Sequence, residues 1–337
     1  MPGENRSVWC SALLSLAVGI APAKADAIAD FYRGKTVNVL IGVGVGGEYD
    51  IQARLVARHI GKHIPGNPNV VAQNMTGAGG LRMINYLYNV APKDGTHIGM
   101  IANAFPAMQA VGVSGVQFDA GKMQWLGTIA PVNETLAVWH TTGVKSIEDA
   151  RKRDIVAGAS ARGAITFIYP QMMNEFLGTR FKIVTGYPGG NQINLAMERG
   201  EVEARNNTWS SWKATKAAWL KENKIAVIAQ AGPRAPDLDA PSVEAAARTP
   251  EERQLIELVV SGTQFGRPMA TNAAPADRVA ALRAAFASTM KDPEFVADAR
   301  QLGFEIDPVL GEKMQKIVEK VLATPKDVAA KAKALME

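Results

Sequence analysis

The 337 residues are 47% hydrophobic and 20% charged. That is the composition of a folded globular chain too long for one core, so two lobes are expected. The net charge of +5 comes without any dense Lys/Arg run, which excludes a nucleic-acid-gripping surface. A single cysteine excludes a disulfide framework and a cysteine-rich metal site.

The first 25 residues differ from the rest. Arg6 supplies a positive charge, Val8 to Pro22 is apolar or small, and Ala23-Lys24-Ala25 ends the run in an A-x-A pattern. This is the layout of a cleavable secretory signal peptide, expected to be cut near Ala25. The apolar run is shorter than the ~20 residues a membrane-spanning helix needs. Cys10 lies inside this segment and precedes the apolar run, unlike a lipoprotein cysteine. Cleavage would remove Glu4, Arg6 and Lys24, a net +1, leaving +4 on the mature chain.

The mature chain alternates strand and helix. Thr36–Val43 is a β-branched run. A helix follows from Tyr49 to Lys62, with Ala53, Val56, Ala57 and Ile60 on one face. Strands are predicted at Asn69–Gln73 and His97–Ala102, with a helix over Leu81–Val90 between them. Asp154–Ala159 is a strand, Thr166–Leu177 a helix, and Phe181–Thr185 a strand. Gln192–Arg199 is a helix stopped by Gly200, and Val202–Asn206 and Lys224–Gln230 are strands. The last third is mostly helical. Pro275 opens one helix, Asp292-Pro293 the next, and Met314, Ile317, Val318 and Val321 mark another. The pattern predicts an α/β architecture with largely parallel sheets, whose ligands bind beyond the carboxyl ends of the strands.

Gly-rich loops stand at those strand ends. The first holds Gly42, Gly44, Gly46, Gly47, Glu48, Tyr49 and Asp50. Its glycines allow close backbone approach, and the helix that follows offers free N–H groups and a positive dipole end to an anion. Asp50 can cap that helix, accept a ligand donor or hold a water. The second loop runs from Asn74 through Gly77 and Ala78 to Gly80. The third holds Ser160, Arg162, Gly163 and Ala164, and the fourth Tyr187, Gly189 and Asn191. Asn206-Asn207-Thr208-Trp209, at the end of the next strand, is a fifth candidate. A dinucleotide site is a poor fit, because the spacing is G-x-G-x-G-G and Asn74 stands where an acid is expected.

At these loops the chain resembles the Bug family, the TctC-like substrate-binding proteins of tripartite tricarboxylate transporters. The similar stretches are VNVLIGVGVGGEYDIQARLVARHI, VVAQNMTGAGG, APKDGTHIGMI, GYPGGNQINLAMERGEVEA, FGRPMATNAAPADRVAALRAAF and MKDPEFVADARQLGFEI. They cover essentially the whole mature chain, in order. The resemblance implies a type II periplasmic-binding-protein fold, two α/β lobes joined by two crossover strands around a ligand cleft. It implies a small organic carboxylate as ligand, a periplasmic location, and a monomer serving a transporter membrane component or a sensor. The family's loop motifs fall on Gly46, Gly47 and Asp50; on Asn74, Gly77 and Ala78; on Ser160 and Gly163; and on Tyr187 and Gly189. Tyr49, Gly42, Val43 and Arg162 depart from the family's usual residues. If Tyr49 and Arg162 face the cleft, one can stack on a ligand and the other can pair with a carboxylate. The expected lobes are 26–131 with 265–337, and 132–264. The chain would cross between them near Ile129–Glu134 and Gln264–Pro268.

Catalytic machinery is not expected. The mature chain has no cysteine nucleophile, and Ser160 is not in a G-x-S-x-G context. A secreted hydrolase using Ser160 is the alternative, and it needs a histidine beside that serine. His59 and His63 have a metal-ligand spacing without an evident third ligand, and are read as solvated surface residues. Trp209, Trp212 and Trp219 are read as core or lobe-surface aromatics, with Trp209 in reach of the cleft. No cofactor, metal or nucleic-acid partner is expected.

Overall fold

The computed structural model describes residues 23–336. Residues 1–22 of the expected export segment lie outside that range, while 23–25 begin the helix Ala23–Tyr32. The strands, in chain order, are β1 (Thr36–Ile41), β2 (Asn69–Asn74), β3 (His97–Met100), β4 (Gln124–Thr128), β5 (Glu134–Trp139) and β6 (Ile155–Gly158). They continue with β7 (Phe181–Val184), β8 (Ala204–Thr208), β9 (Ile225–Ala231), β10 (Met269–Thr271) and β11 (Val309–Leu310).

Among the described residues these strands form two sheets, ordered β11-β4-β10-β3-β1-β2 and β7-β6-β8-β5-β9. The sheets are more mixed than the sequence pattern predicts. Strand β1 runs parallel to β2 and β3, and β6 parallel to β7 and β8. The strands that border the passages between sheets run the other way. Strand β10 is antiparallel to β3 and β4, and β5 is antiparallel to β8 and β9. A short strand entered from the opposite sheet carries no periodicity that reveals its direction, so the sequence could not show this.

The predicted core faces are met. On the helix Glu48–Ile60 the stripe of Ala53, Val56, Ala57 and Ile60 is buried. This helix lies between the first sheet and the helices Ala276–Thr289 and Pro293–Gln301. That packing overturns the solvated reading of its histidines. His59 is buried, with Nε2 at 2.9 Å from Asp298 and its ring edge-on to Phe295. His63 Nε2 stands 2.7 Å from Asp292, which also holds Lys62 and caps the Pro293–Gln301 helix. The last helix, Lys326–Met336, packs against Ile165–Leu177 and Pro250–Val260, and also touches Phe105–Ala110.

The chain leaves the first sheet after β4 and returns at β10, so residues 129–133 and 266–268 run between sheets. The two passages are tied together. Val132 N–H donates to Thr263 O at 2.9 Å, and Arg267 N–H to Thr128 Oγ1 at 3.0 Å. Gly266 has φ +60°, and a Cβ there would run into the Ala130 carbonyl oxygen. Glycine is required at this point for both reasons. Gly266→Ala is expected to lower stability by roughly 2 kcal/mol or more in urea denaturation. An unchanged unfolding midpoint would show that the junction is not tightly constrained.

Candidate functional site

Three strand ends feed helices that start on one cleft. Strand β1 leads through 42–47 into Glu48–Ile60, β6 through 159–164 into Ile165–Leu177, and β7 through 185–189 into Gly190–Glu198. Their N-cap positions are Gly47, Ala164 and Gly189, and no side chain caps any of the three. By contrast, Thr208 caps the neighbouring helix Trp209–Thr215 through Ser211 N–H. Uncapped first turns leave backbone N–H groups and a positive dipole end to whatever lies in front of them. The free space left in the cleft is about 70 Å³, well below the ~300–1,000 Å³ of typical small-molecule sites.

Most of the predicted residues come together here. Gly46, Gly47, Glu48 and Tyr49 line the cleft from the first sheet's side, and Ser160, Gly163, Ala164, Gly189 and Asn206 from the second's. Asp50 and Asn74 stand behind the first loop. Asp50 is buried and accepts from Gly46 N–H at 3.0 Å, Arg54 Nε at 3.0 Å and Asn74 Nδ2 at 2.9 Å. Asn74 Nδ2 also donates to Val43 O, so this pair holds the loop in shape. Of the second loop, Gly79 lines the cleft; Gly77 and Ala78 are outside its lining, as are Arg162 and Tyr187. Arg162 is exposed, with its guanidinium 5.4 Å from the Phe167 ring. Trp209 lies in a different hollow, and its Nε1 donates to Asp237.

The charged centre of the site is a buried knot at the junction of the sheets. Arg267 donates from Nη2 to Glu48 Oε2 at 2.7 Å and from Nε to the same oxygen at 3.0 Å. Thr208 Oγ1 and Ser210 Oγ donate to Glu48 at 2.5 and 2.6 Å from the second sheet's side. Arg267 also reaches Glu134 at 3.4 Å and lies 4.2 Å over the Tyr49 ring. Tyr49 is thus engaged by the protein. Its hydroxyl donates to Asn103 Oδ1 and accepts from Asn103 N–H, both at 3.1 Å. Burial alone would depress the Arg267 guanidinium, but Glu48, Tyr49 and Glu134 hold it above its ordinary value. Burial pushes the Glu134 carboxyl up, and Arg267 only partly opposes that.

Residues outside the predicted loops also line the cleft, notably Phe105, Ile165, Asn194, Arg205 and Arg267, and Asn207 of the loop expected at 206–209 lines it from within β8. Arg205 and Asn207 sit within β8, a strand rather than a loop. Their available signal was a run of polar residues, Arg205 to Thr208, in a strand whose every residue is buried. Arg267 gave none, because its significance comes from a carboxylate 219 residues away.

No protein-family model matches the chain, and no curated protein matches it. Solved structures do. The periplasmic binding protein BugD superposes with a TM-score of 0.71 at 19% identity, covering 89% of this chain and 98% of its own. The R. palustris protein Rpa4515 with adipate gives 0.69 at 20% identity, over 88% and 97% of the two chains. MatC of Rhodopseudomonas palustris with bound malate gives 0.68 at 17% identity, over 88% and 99%. The chain has the fold of the Bug- and TctC-type periplasmic binding proteins. The cleft described above lies between the two sheets of this fold.

Asp50 gives the site a pH signature. Burial would raise its carboxyl, but the hydrogen bonds from Arg54, Gly46 N–H and Asn74 outweigh it and hold it below the ordinary carboxylate value. A carboxylate depressed on folding stabilises fully above its unfolded pKa of about 3.9, and loses that contribution as pH falls through the folded value. Asp50→Asn is therefore expected to cost roughly 1–3 kcal/mol at about pH 7, with the gap shrinking below about pH 4. Denaturant titrations of both proteins across this range check it; a gap independent of pH would show that the charge is not what matters.

Proposed function

We propose that the chain is a periplasmic solute-binding receptor of the Bug and TctC-like family. It captures a small organic carboxylate between its lobes by hinge closure and performs no chemistry on it. The observation that carries the reading is the convergence of three uncapped helix starts, from two separate sheets, on one cleft. Such an array suits an anion, because N–H donors face it from both sides and the two acid-free helix starts of the second side add their dipole ends. The folds of a protein with adipate and a protein with malate support the same class of ligand.

The lobes meet across the cleft. Gly44 N–H donates to Pro188 O at 3.0 Å, linking the first loop of one lobe to the fourth loop of the other. Contacts of this kind form on closing and break on opening, so ligand would shift an open–closed equilibrium. We take the lobes as 26–131 with 265–337, and 132–264. The receptor acts as a monomer that delivers to a transporter membrane component or reports to a sensor. Catalysis at Ser160 has little support. Its Oγ lies 3.4 Å from Thr166 Oγ1, while His59, His63 and His97 are bonded elsewhere and His140 stands against Trp139.

A thermal-shift panel of aliphatic dicarboxylates, aromatic carboxylates, amino acids and neutral sugars tests the reading. A ligand at roughly 100 times its Kd adds about 2.7 kcal/mol and raises the Tm by several degrees. At least one carboxylate should do so and its methyl ester should not. Failure of every carboxylate would remove the function while leaving the fold. X-ray scattering with the best ligand should show a smaller radius of gyration, and superimposable curves at saturation would rule out hinge closure.

A further inference from the structure

Two arginines line the cleft, and only one has a carboxylate. Arg267 is paired with Glu48 and Glu134. Arg205 is 4% exposed and forms no ion pair among the described residues. Its guanidinium is held by neutral acceptors. Nη1 donates to Gly190 O at 2.5 Å and to Asn194 Oδ1 at 2.7 Å, and Nε to Asn206 O at 3.1 Å. The Trp212 ring lies 5.2 Å from its central carbon and supports one face. Nη2 donates to no acceptor among the described residues.

Burying a guanidinium without a counter-charge is costly. Burial depresses Arg205 to about 9, against the pull of Glu134 and Glu48, and it remains a cation at neutral pH. Glu134 is the main opposing charge, but it sits on Arg267 and its own burial favours the protonated form. The unused Nη2 lies under Gly190, the first residue of Gly190–Glu198. A Cβ at Gly190 would stand 2.7 Å from it. That helix has no acid in its first turn. Beside Arg205, Asn207 is 6% exposed, lines the cleft and has an Nδ2 with no acceptor.

We propose that Arg205 is the charge-recognising residue of the cleft, pairing with a ligand carboxylate that also accepts from Asn207 Nδ2 and from the free start of the Gly190–Glu198 helix. The proposal rests on the carboxylate-receptor reading and specifies which residue reads the charge. The missing counter-ion of Arg205 is the ligand. Gly190 is a glycine because a side chain there would cover the guanidinium.

Calorimetric titration of the unmodified protein and of Arg205→Gln with adipate, malate and their dimethyl esters tests this. The unmodified protein should bind an acid and discriminate against its ester. Arg205→Gln should weaken the acid by roughly tenfold or more and bring the acid and ester affinities together, since a charge-assisted hydrogen bond is lost. If Arg205 only braces Gly190 and Asn194, the variant would melt earlier but keep the same acid-to-ester ratio, and that overturns the proposal. Should Arg205→Gln fail to fold, Arg205→Lys and Gly190→Ala take its place. Both leave a cation and disturb the fork, and an unchanged ratio in both overturns the proposal equally. Absence of binding by adipate, malate and every other acid of the panel to the unmodified protein would instead overturn the receptor reading, and this one with it.

Discussion

The buried pair of Arg267 and Glu48 is the constraint on which the arrangement of the two lobes depends. Each ion withdrawn from water costs several kcal/mol unless its partner and its remaining hydrogen bonds are in place. Here they come from distant stretches. Arg267 lies on the return passage between sheets, Glu48 on the first turn after β1's loop, and Thr208 and Ser210 at the end of β8. Satisfying Glu48 therefore fixes the first loop against both the passage and the second sheet. The same act sets where the Glu48–Ile60 helix begins, and so where its N–H groups point. Ion pairs of this kind add little net stability, yet breaking one leaves a buried charge alone. The pair specifies position more than it strengthens the fold.

The glycines of the strand-end loops serve the meeting of the lobes as much as any ligand. A Cβ on Gly189 would come within 2.9 Å of Gly44 N, and one on Gly79 would press on Ala161 and Ala164 at 3.2 and 3.4 Å. Gly42 approaches Gly80 so closely that a Cβ would sit 2.9 Å from its Cα. Close backbone approach is what glycine allows, and the sequence cannot say what is approached. Gly46 and Gly79 do face the cleft, at φ +84° and +64°, where a side chain would strain the turn.

What could be read in advance follows the same division between local and distant causes. The helix Glu48–Ile60 was legible because Ala53, Val56, Ala57 and Ile60 repeat at helical spacing, and Gly200, at φ +74°, marks the end of Gly190–Glu198. Strand β8 was read two residues early, since its polar end, Asn207 and Thr208, resembles a loop. Their polarity is met by tertiary partners, such as Glu48 for Thr208, which no local pattern reveals. His59 shows the same limit. Its spacing on the helix suggests an outer face, and only the packing of Pro293–Gln301 against that face buries it. Asp50 and Asn74 stand out in the sequence as ligand-binding candidates, but their partners here are each other and Arg54, behind the loop they shape.

The electrostatics of the cleft are unequal between its two sides, and the first turns of the helices explain why. Glu48–Ile60 carries Glu48 and Asp50 in its first turn, so its dipole end faces acids of its own chain. Neither Ile165–Leu177 nor Gly190–Glu198 has an acid in its first turn. Arg205 adds a full positive charge to that second side, whereas Arg267, between the lobes, is already matched by Glu48. The positive side of the cleft is therefore the one built from β6, β7 and β8 and the helices they feed. The first lobe contributes shape: the loop braced by Asp50 and Asn74, the Tyr49 ring under Arg267, and the contact of Gly44 with Pro188. A cleft built this way has two unlike walls. One wall carries a cation without a counter-ion, and the other is already electrically satisfied, its Glu48 bound to Arg267 and to Thr208 and Ser210 of the facing wall.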